Sequence, residues 1–266
     1  MAQIDAVILA GGTPKPGELL YTYTQGEPKA LLEMAGHPML YWILEALDRA
    51  STVRRIAVSG MAVPAAPAAP TPKPRVYVPD QGSMMGNAQA GAAELAKTGP
   101  LTSLVLLVSS DIPTLTAEIV DWMVTTSLET DHEAYYSLIP REKMETRFPG
   151  SRRSYFHFKD GVFTGSDINL MSANLLVRGH AKAPALIEAR KDIFQQARLI
   201  GWDVLLLFAL RRLTVADTVR IASQRLQIKG RALICPYAEA GMDVDKPGQY
   251  ELVKRDMESR LKPEAA

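Results

Sequence analysis

The sequence predicts an α/β fold in which a mixed, mostly parallel sheet lies between two layers of helices. Four short runs rich in β-branched residues or leucine, each bounded by turn residues, are typical of buried parallel strands: residues 6–9, 55–58, 75–78 and 104–108. Apolar residues recur at helical spacing between several of these runs, as at Leu40, Ile43, Leu44 and Leu47. Alternation of strands and helices favours a parallel sheet that is covered on both faces.

The pattern changes in the second half of the chain. Residues 184–226 have helical periodicity throughout, residues 231–234 return to a strand pattern, and residues 249–261 have an amphipathic helical pattern. Closely spaced prolines at 61–74 disfavour both helix and sheet, so we expect a surface loop there. We therefore predict one domain over residues 1–266, with a helical insertion at about 184–226.

Composition excludes several classes of protein. The formal net charge of +1 gives no overall attraction for nucleic acid or anionic membranes, so neither is an expected partner. The single cysteine, Cys235, excludes an intramolecular disulfide framework. No run reaches the roughly 20 apolar residues that a membrane span needs. We expect a cytoplasmic enzyme without a membrane span.

The first predicted strand ends in two glycines, Gly11 and Gly12, within the stretch "VILAGGTPKPGELLYTYTQGEPKALL". Open α/β sheets bind ligands at the carboxyl ends of their strands, and glycines there let backbone amides approach phosphate oxygens. The sequence has neither the Gly-Lys-Ser/Thr of a P-loop nor a G-x-G-x-x-G motif at this place. The loop therefore belongs to another class of phosphate-binding loop.

Three stretches together resemble the signature of the MobA-like NTP transferase family, a group of nucleotidyltransferases. The first is "LAGG" followed by "PKALLEMAGHPML", which contains Lys29; the second is "LLVSSDIP", which contains Asp111. The third is "MDVDKPGQYELV", with Asp243 and Asp245 before a final helix. The resemblance covers nearly the whole chain and implies a single Rossmann-like (GT-A type) three-layer domain.

The resemblance also implies roles for individual residues. Lys29, Asp111 and Asp245 would be catalytic, and the two aspartates would hold Mg²⁺, which prefers oxygen ligands. The nucleotide would contact a larger set: Leu9, Ala10, Gly11, Gly12, Lys15, Lys29, Gly82 and Ser83. Loops of the family commonly carry an arginine soon after the glycines, and Lys15 is the candidate replacement here.

The acceptor is expected on the second half of the chain. A basic cluster precedes the stretch "FTGSDINLMSANLLV" and suits an anionic acceptor: Arg141, Lys143, Arg147, Arg152 and Arg153. From the cluster and this stretch, the candidate acceptor-binding residues are Arg147, Asn169 and Asn174. A solvated charged face is the alternative interpretation of the cluster, and Asn169 fits a turn equally well.

We predict a magnesium-dependent nucleotidyltransferase that moves a nucleoside monophosphate from a nucleoside triphosphate to a phosphorylated or hydroxyl-bearing small acceptor, with release of pyrophosphate. One alternative is a GT-A glycosyltransferase that uses a nucleotide sugar and binds metal through Asp243 and Asp245 as a D-x-D element. Another is a non-catalytic nucleotide-binding regulatory protein, suggested by the missing loop arginine. A homodimer is compatible with the apolar stretch at 204–210, which a buried helix also explains.

Overall fold

A computed structural model describes residues 2–61, 72–178 and 210–261 of the chain. Most of the predicted surface loop at 61–74, the apolar stretch at 204–210 except its last residue, and the part of the predicted helical insertion before residue 210 lie outside these ranges. Within the insertion, residues 215–226 form a helix, as predicted. Its N-cap residue, Thr214, makes a reciprocal capping box with Asp217, which explains where this helix begins.

Strands and helices alternate along the first half of the chain. The strands are β1 Ile4–Leu9, β2 Glu33–Met34, β3 His37–Pro38, β4 Val53–Ser59, β5 Arg75–Val78, β6 Leu104–Ser109, β7 Ala134–Pro140, β8 Phe156–Phe158, β9 Gly161–Gly165, β10 Ile168–Ser172 and β11 Gly230–Ile234. The α-helices are α1 Tyr21–Thr24, α2 Met39–Arg49, α3 Met84–Lys97, α4 Ala117–Leu128, α5 Arg141–Arg147, α6 Ala173–Arg178, α7 Val215–Leu226 and α8 Pro247–Leu261. Two short 3₁₀ turns occupy Lys29–Leu31 and Ala238–Gly241.

The described strands form a nine-stranded mixed sheet and a small β2–β3 hairpin. Along the sheet the order is β5-β4-β1-β6-β10-β7-β9-β8, and β11 also pairs with β7. Strands β5, β4, β1 and β6 are all parallel, whereas β10 runs antiparallel to both β6 and β7. The predicted mixed α/β sheet is confirmed, and its parallel part is the half that contains the glycine pair.

The sheet lies between two helical layers because side chains of a strand alternate between its faces. Ala6 and Ile8 of β1 are buried in the larger hydrophobic core, which also contains apolar residues of α2, α4 and α8. Val7 points to the other face and packs in a second core with residues of α3 and Leu176 of α6. This arrangement confirms the predicted three-layer domain.

The parallel strands bring several chain segments to one edge of the sheet. Because β1, β4, β5 and β6 point the same way, the residues that follow them all lie at the carboxyl edge. Gly11 follows β1, Gly60 follows β4, Asp80 follows β5 and Asp111 follows β6. The carboxyl edge is therefore where backbone amides and carboxylates from distant parts of the sequence meet.

Candidate active site

Three charged side chains meet at the carboxyl edge of the sheet. The Nζ of Lys29 lies 2.6 Å from Oδ2 of Asp111 and also forms an ion pair with Oδ1 of Asp245. The two aspartates come from chain segments that follow β6 and precede α8. The structure thus brings together the three residues for which a catalytic role was predicted.

Hydrogen bonds hold the segments that carry this triad of Lys29, Asp111 and Asp245. The N–H of Lys29 donates to the carbonyl of Gly12 at 3.1 Å, which ties the lysine to the glycine loop. The N–H of Val244 donates to the carbonyl of Asp111 at 3.0 Å, so the two aspartate segments are joined directly. The hydroxyl of Ser109 donates to Oδ1 of Asp111 at 2.6 Å and orients that carboxylate.

The electrostatic environment keeps Lys29 charged. Burial alone would lower the pKa of Lys29, whose side chain is 16% exposed, but the charges of Asp111 and Asp245 outweigh burial and raise the pKa above its ordinary value. The ammonium group in turn lets two carboxylates lie close to one another. Without a cation between them, their mutual repulsion would be unfavourable.

The donor set fits Mg²⁺, because two carboxylates already converge on a single cation, the ammonium of Lys29. Within 2–61, 72–178 and 210–261, no group of three or more His, Cys, Asp or Glu side chains could hold a metal ion. Mg²⁺ often binds through one or two carboxylates and completes its octahedron with water and substrate phosphates. A two-aspartate site therefore suits a metal that arrives with a nucleotide.

The two aspartates of the Asp243-Val244-Asp245 triplet face different partners. Asp245 pairs with Lys29, whereas Asp243 pairs with the guanidinium of Arg153 and is largely buried. The intervening Val244 is fully buried and separates them. A D-x-D metal element requires both carboxylates to point at one cation. The carboxylates of Asp243 and Asp245 do not.

Gly11 and Gly12 each need to be glycine, for different structural reasons. A Cβ on Gly11 would collide with the side-chain amide of Asn87 and lie 2.6 Å from Oδ1 of Asp80. Gly12 is exposed, has a φ of 122° and has nothing within 4 Å of its missing Cβ, so this side of its backbone faces open space. Gly60 packs its Cα directly on the backbone of Gly11, which fixes the position of this loop from below.

Of the other residues predicted to bind the nucleotide, Leu9 is the last residue of β1 and Ala10 is buried directly after it, whereas Lys15, Gly82 and Ser83 lie in exposed loops at the same edge. Gly82 is in the left-handed region, with a φ of 73°, and its N–H donates to Asp80 at 3.2 Å. Ser83 is the N-cap of α3, and its hydroxyl accepts from the N–H of Gly86 at 3.1 Å. Lys15 is exposed in the loop after the glycines, where its backbone N–H donates to Glu18.

The basic residue predicted to bind the acceptor is engaged in ion pairs. The guanidinium of Arg147 donates to both carboxylate oxygens of Asp256 at 2.8 Å and to Glu239 at 2.8 Å. These contacts join α5 to α8 and to the 3₁₀ turn Ala238–Gly241. They give Arg147 a structural role. Arg147 also lines a cavity of about 350 Å³ together with Lys143 and Tyr237, and acceptor binding by Arg147 stays a prediction.

Of the two predicted asparagines, Asn169 lies within the sheet and Asn174 lies at its far edge. Asn169 accepts from the N–H of Ser137 at 3.1 Å and donates to the carbonyl of Ser166 at 3.3 Å. Because β10 runs antiparallel to β6, it ends beside the start of β6, so Asn174 lies about 20 Å from Asp111 along the strand direction. Acceptor binding by Asn174 stays a prediction, and this separation weighs against a place for it beside Asp111.

Sequence reasoning missed three residues that shape the site. Gly60 follows β4 as Gly11 follows β1, so a glycine directly after a second parallel strand was the available signal. Asn87 is buried and donates to Asp80 at 2.8 Å, while its own oxygen accepts from the N–H of Gln81. Gln249 is buried beside Asp245, and no pattern in the sequence indicates that contact.

This fold, with a glycine loop, a lysine and two aspartates at the carboxyl edge of the sheet, defines a nucleotidyltransferase. Residues 6–198 match the family model described as the MobA-like NTP transferase domain. A solved structure described as a hypothetical transferase from Thermus thermophilus is 31% identical, with a TM-score of 0.79, and covers 93% of this chain and 99% of its own. The chain belongs to the MobA-like NTP transferase family.

More distant solved structures share the fold. A CMP:2-keto-3-deoxy-manno-octonic acid synthetase in complex with CTP has a TM-score of 0.56 at 12% identity, over 98% of this chain and 100% of its own. A 4-diphosphocytidyl-2C-methyl-D-erythritol synthase has a TM-score of 0.57 at 15% identity, over 97% and 99%. At these identities the likeness shows the fold alone. The comparison with curated proteins found no match.

None of the described helices is long and apolar enough to cross a membrane.

Proposed function

We propose that this nucleotidyltransferase is magnesium-dependent and moves a nucleoside monophosphate from a nucleoside triphosphate to a small anionic acceptor that carries a phosphate or a hydroxyl group. An oxygen of the acceptor forms a bond to the α-phosphorus, the bond from that phosphorus to the bridging oxygen breaks, and pyrophosphate leaves. The observation that carries the proposal is the shared position of Lys29 between Asp111 and Asp245.

The chain supplies positioning and positive charge to this reaction. The exposed backbone of Gly12 lies open at the sheet edge, where its N–H can donate to the outer phosphates of the nucleotide. Lys15 and Lys29 neutralise charge on the triphosphate, and Lys29 does so beside the reacting phosphorus. Gly82 and Ser83 lie at the start of α3, where backbone amides contact the nucleobase.

Asp111 and Asp245 are the residues that would hold Mg²⁺. When it is bound, the metal polarises phosphoryl oxygens and stabilises the charge that develops on the leaving pyrophosphate. Ser109 orients Asp111 through its 2.6 Å hydrogen bond, and Gln249 fixes the N–H of Asp245 at 3.0 Å. Neither a protein nucleophile nor a general base is required, because phosphoryl transfer depends mainly on orientation and electrostatics.

The pairing of Asp243 weighs against the first alternative, a glycosyltransferase with a D-x-D metal site. The carboxylate of Asp243 is already paired with Arg153, and Lys29 has no evident purpose in a sugar-transfer site. The second alternative, a non-catalytic nucleotide-binding protein, predicts nucleotide binding without turnover. Release of pyrophosphate separates all three functions.

The experiment combines each of the four common nucleoside triphosphates with Mg²⁺ and a panel of phosphorylated and hydroxyl-bearing acceptors, and measures pyrophosphate. We expect release that requires an acceptor and metal and that is lost in Asp111→Asn. Transfer from a nucleotide sugar without pyrophosphate would instead establish a glycosyltransferase. Stabilisation by a triphosphate with no turnover across the panel would support the regulatory protein.

Two further expectations accompany the proposed function. We propose a cytoplasmic location, in keeping with small phosphorylated substrates, and a homodimer. Light scattering after size-exclusion chromatography gives the mass in solution and tests the dimer directly. A mass near the 29.1 kDa of one chain would contradict it.

A further inference from the structure

A second cation at the carboxyl edge of the sheet also joins two carboxylates. The guanidinium of Arg153 pairs with Asp243, and its Nη2 lies 3.6 Å from Oδ2 of Asp167. The same nitrogen donates to the carbonyl of Gly165 at 3.3 Å. The side chain of Arg153 is only 12% exposed, so these contacts are largely shielded from water. Lys29 and Arg153 therefore hold four carboxylates at this edge in two separate pairs.

Asp243 adjoins the candidate metal site through the backbone. It precedes Asp245 by two residues in the sequence. The N–H of the intervening Val244 donates to the carbonyl of Asp111 at 3.0 Å. Asp243 is thus the neighbour of a residue that is bonded directly to the segment of Asp111.

Asp167 adjoins the same site through the sheet. It lies directly before β10, and its carbonyl accepts from the N–H of Ser109 at 2.9 Å. The hydroxyl of Ser109 in turn donates to Oδ1 of Asp111 at 2.6 Å. A single residue therefore connects Asp167 to one of the two aspartates that would hold the metal.

Four carboxylates at one edge offer a divalent cation more than one set of ligands. Mg²⁺ often binds through one or two carboxylates and keeps its other positions for water and substrate phosphates. A third carboxylate would bind the ion more tightly by its added negative charge, but it would also take a position that the triphosphate needs. Tight binding of the metal and productive binding of the metal are therefore different requirements here.

We propose that Arg153 is a positioning residue that reserves the metal for Asp111 and Asp245, because it holds Asp243 and Asp167 in ion pairs of their own. This inference rests on the proposed function, since it concerns the metal of that reaction. Arginine suits the role. Its planar guanidinium presents separate N–H groups to two carboxylates, and it is effectively always charged.

Arg153→Met should separate metal affinity from turnover. The freed carboxylate of Asp243 adds negative charge beside the metal site, so Mg²⁺ should bind roughly tenfold more tightly or better. The value of kcat should fall roughly tenfold, because the metal is then misplaced and a position for substrate phosphate is filled. A residue that only stabilised the fold would leave the Mg²⁺ affinity of the folded protein unchanged.

The double variant Arg153→Met/Asp243→Asn is the rescue. It removes the freed carboxylate together with the cation, so both the Mg²⁺ affinity and kcat should return toward their wild-type values. Arg55→Met is the matched control, because the side chain of Arg55 is 14% exposed and pairs with the buried Asp5 at the opposite edge of the sheet. We expect this control to lose stability with no change in Mg²⁺ affinity or kcat.

Calorimetric titration of the nucleotide-free proteins with Mg²⁺ gives the affinities, pyrophosphate release gives kcat, and urea unfolding gives the stability. Arg153→Lys keeps the charge and can still pair with one carboxylate. It carries the same test if Arg153→Met does not fold, and we expect smaller changes in the same directions.

Two results would overturn the inference. One is a Mg²⁺ affinity in the folded Arg153 variants that equals or falls below that of the wild type, and the other is a folded double variant that recovers neither quantity. A wild type that binds no Mg²⁺ would count against both the inference and the proposed function. A wild type that binds Mg²⁺ but releases no pyrophosphate would count against the proposed function, while the calorimetric comparison still decides the role of Arg153.

Discussion

The ammonium of Lys29 lies 2.6 Å from the carboxylate of Asp111, although 82 positions separate the two residues in the sequence. Asp245 lies in a third segment of the chain and pairs with the same ammonium. One cation therefore joins the loop after β1, the end of β6 and the start of α8. These three segments must keep this relationship if a triphosphate and a metal are to be bound between them.

Asp111→Asn should lower turnover roughly 100-fold or more, because it removes a charge that would stabilise the transition state through the metal. The substituted amide has the same shape, and its oxygen can still accept from Ser109, so the fold should persist. Steady-state rates at saturating Mg²⁺, together with a thermal melt, check both parts. An unchanged rate would remove Asp111 from the mechanism.

Asp243→Asn is the matched control for the metal site, because this neighbouring carboxylate pairs with Arg153 rather than with Lys29. We expect a smaller loss of turnover than in Asp245→Asn. Some loss of stability is expected as well, since Arg153 is largely buried and would keep only its longer ion pair with Asp167, at 3.6 Å. Equal losses of turnover in the two variants would indicate that both carboxylates bind the metal.

Lys29→Met should lower kcat more than it weakens nucleotide binding, because the ammonium interacts best with the charge of the transition state. It should also tighten Mg²⁺ binding, since Asp111 and Asp245 would then lie close together without a cation between them. Calorimetric titration with Mg²⁺ and separate kinetic constants test the two effects. Lys15→Met is the control and should raise only KM, as expected for an exposed lysine of the loop. If Lys29→Met also raised only KM, Lys29 would be a ground-state anchor.

The sequence contains enough information to predict the parallel half of the sheet and the triad at its edge. Short β-branched runs and helical periodicities identify β1, β4 and β6, and parallel strands place Gly11 and Asp111 at the same edge whatever their separation in the sequence. The resemblance to the family implied the chain order of Lys29, Asp111 and Asp245. That the lysine sits between both carboxylates depends on side-chain positions, which no pattern in the sequence contains.

The acceptor side was harder to predict, because it depends on strand direction and on distant partners. The stretch around Asn174 has strand and turn signals, but these do not reveal that β10 runs antiparallel and ends at the far edge. Arg147 looks like a free base in the sequence, yet its partners Glu239 and Asp256 lie 92 and 109 residues away. Local patterns cannot distinguish an arginine that binds a substrate from one that joins two helices.

Asp5 stabilises the opposite edge of the sheet in a pH-dependent way. Burial would raise the pKa of Asp5, but hydrogen bonds from Arg54 and Arg55 outweigh it and hold the pKa at about 2, below the ordinary 3.8. Because the folded protein binds this proton more weakly than the unfolded chain, the stabilisation is complete above about pH 4 and is lost as the pH falls toward 2.

Asp5→Asn should therefore lower the free energy of unfolding by about 2 kcal/mol at pH 7, and this difference should shrink between pH 4 and pH 2. Urea unfolding curves of wild type and variant at several pH values measure it. Asp131→Asn is the control, because Asp131 is fully exposed and its nearest base, the Nζ of Lys229, is 3.9 Å away. A difference between wild type and Asp5→Asn that did not change with pH would contradict the assignment.

Gly60→Ala should weaken nucleotide binding, although Gly60 has no predicted contact with the ligand. Its Cα packs on the backbone of Gly11, so an added Cβ would push the glycine loop out of position, and a φ of 111° adds backbone strain. Gly36→Ala is the matched control, since Gly36 has a φ of 87° in the β2–β3 turn with nothing within 4 Å of its Cβ. Both variants should lose stability through backbone strain, and Gly60→Ala should lose more because its Cβ also collides with the backbone of Gly11; only Gly60→Ala should lower the affinity for a triphosphate. Calorimetric titration of both proteins decides this, and equal affinities would mean that the loop does not need Gly60 to hold its shape.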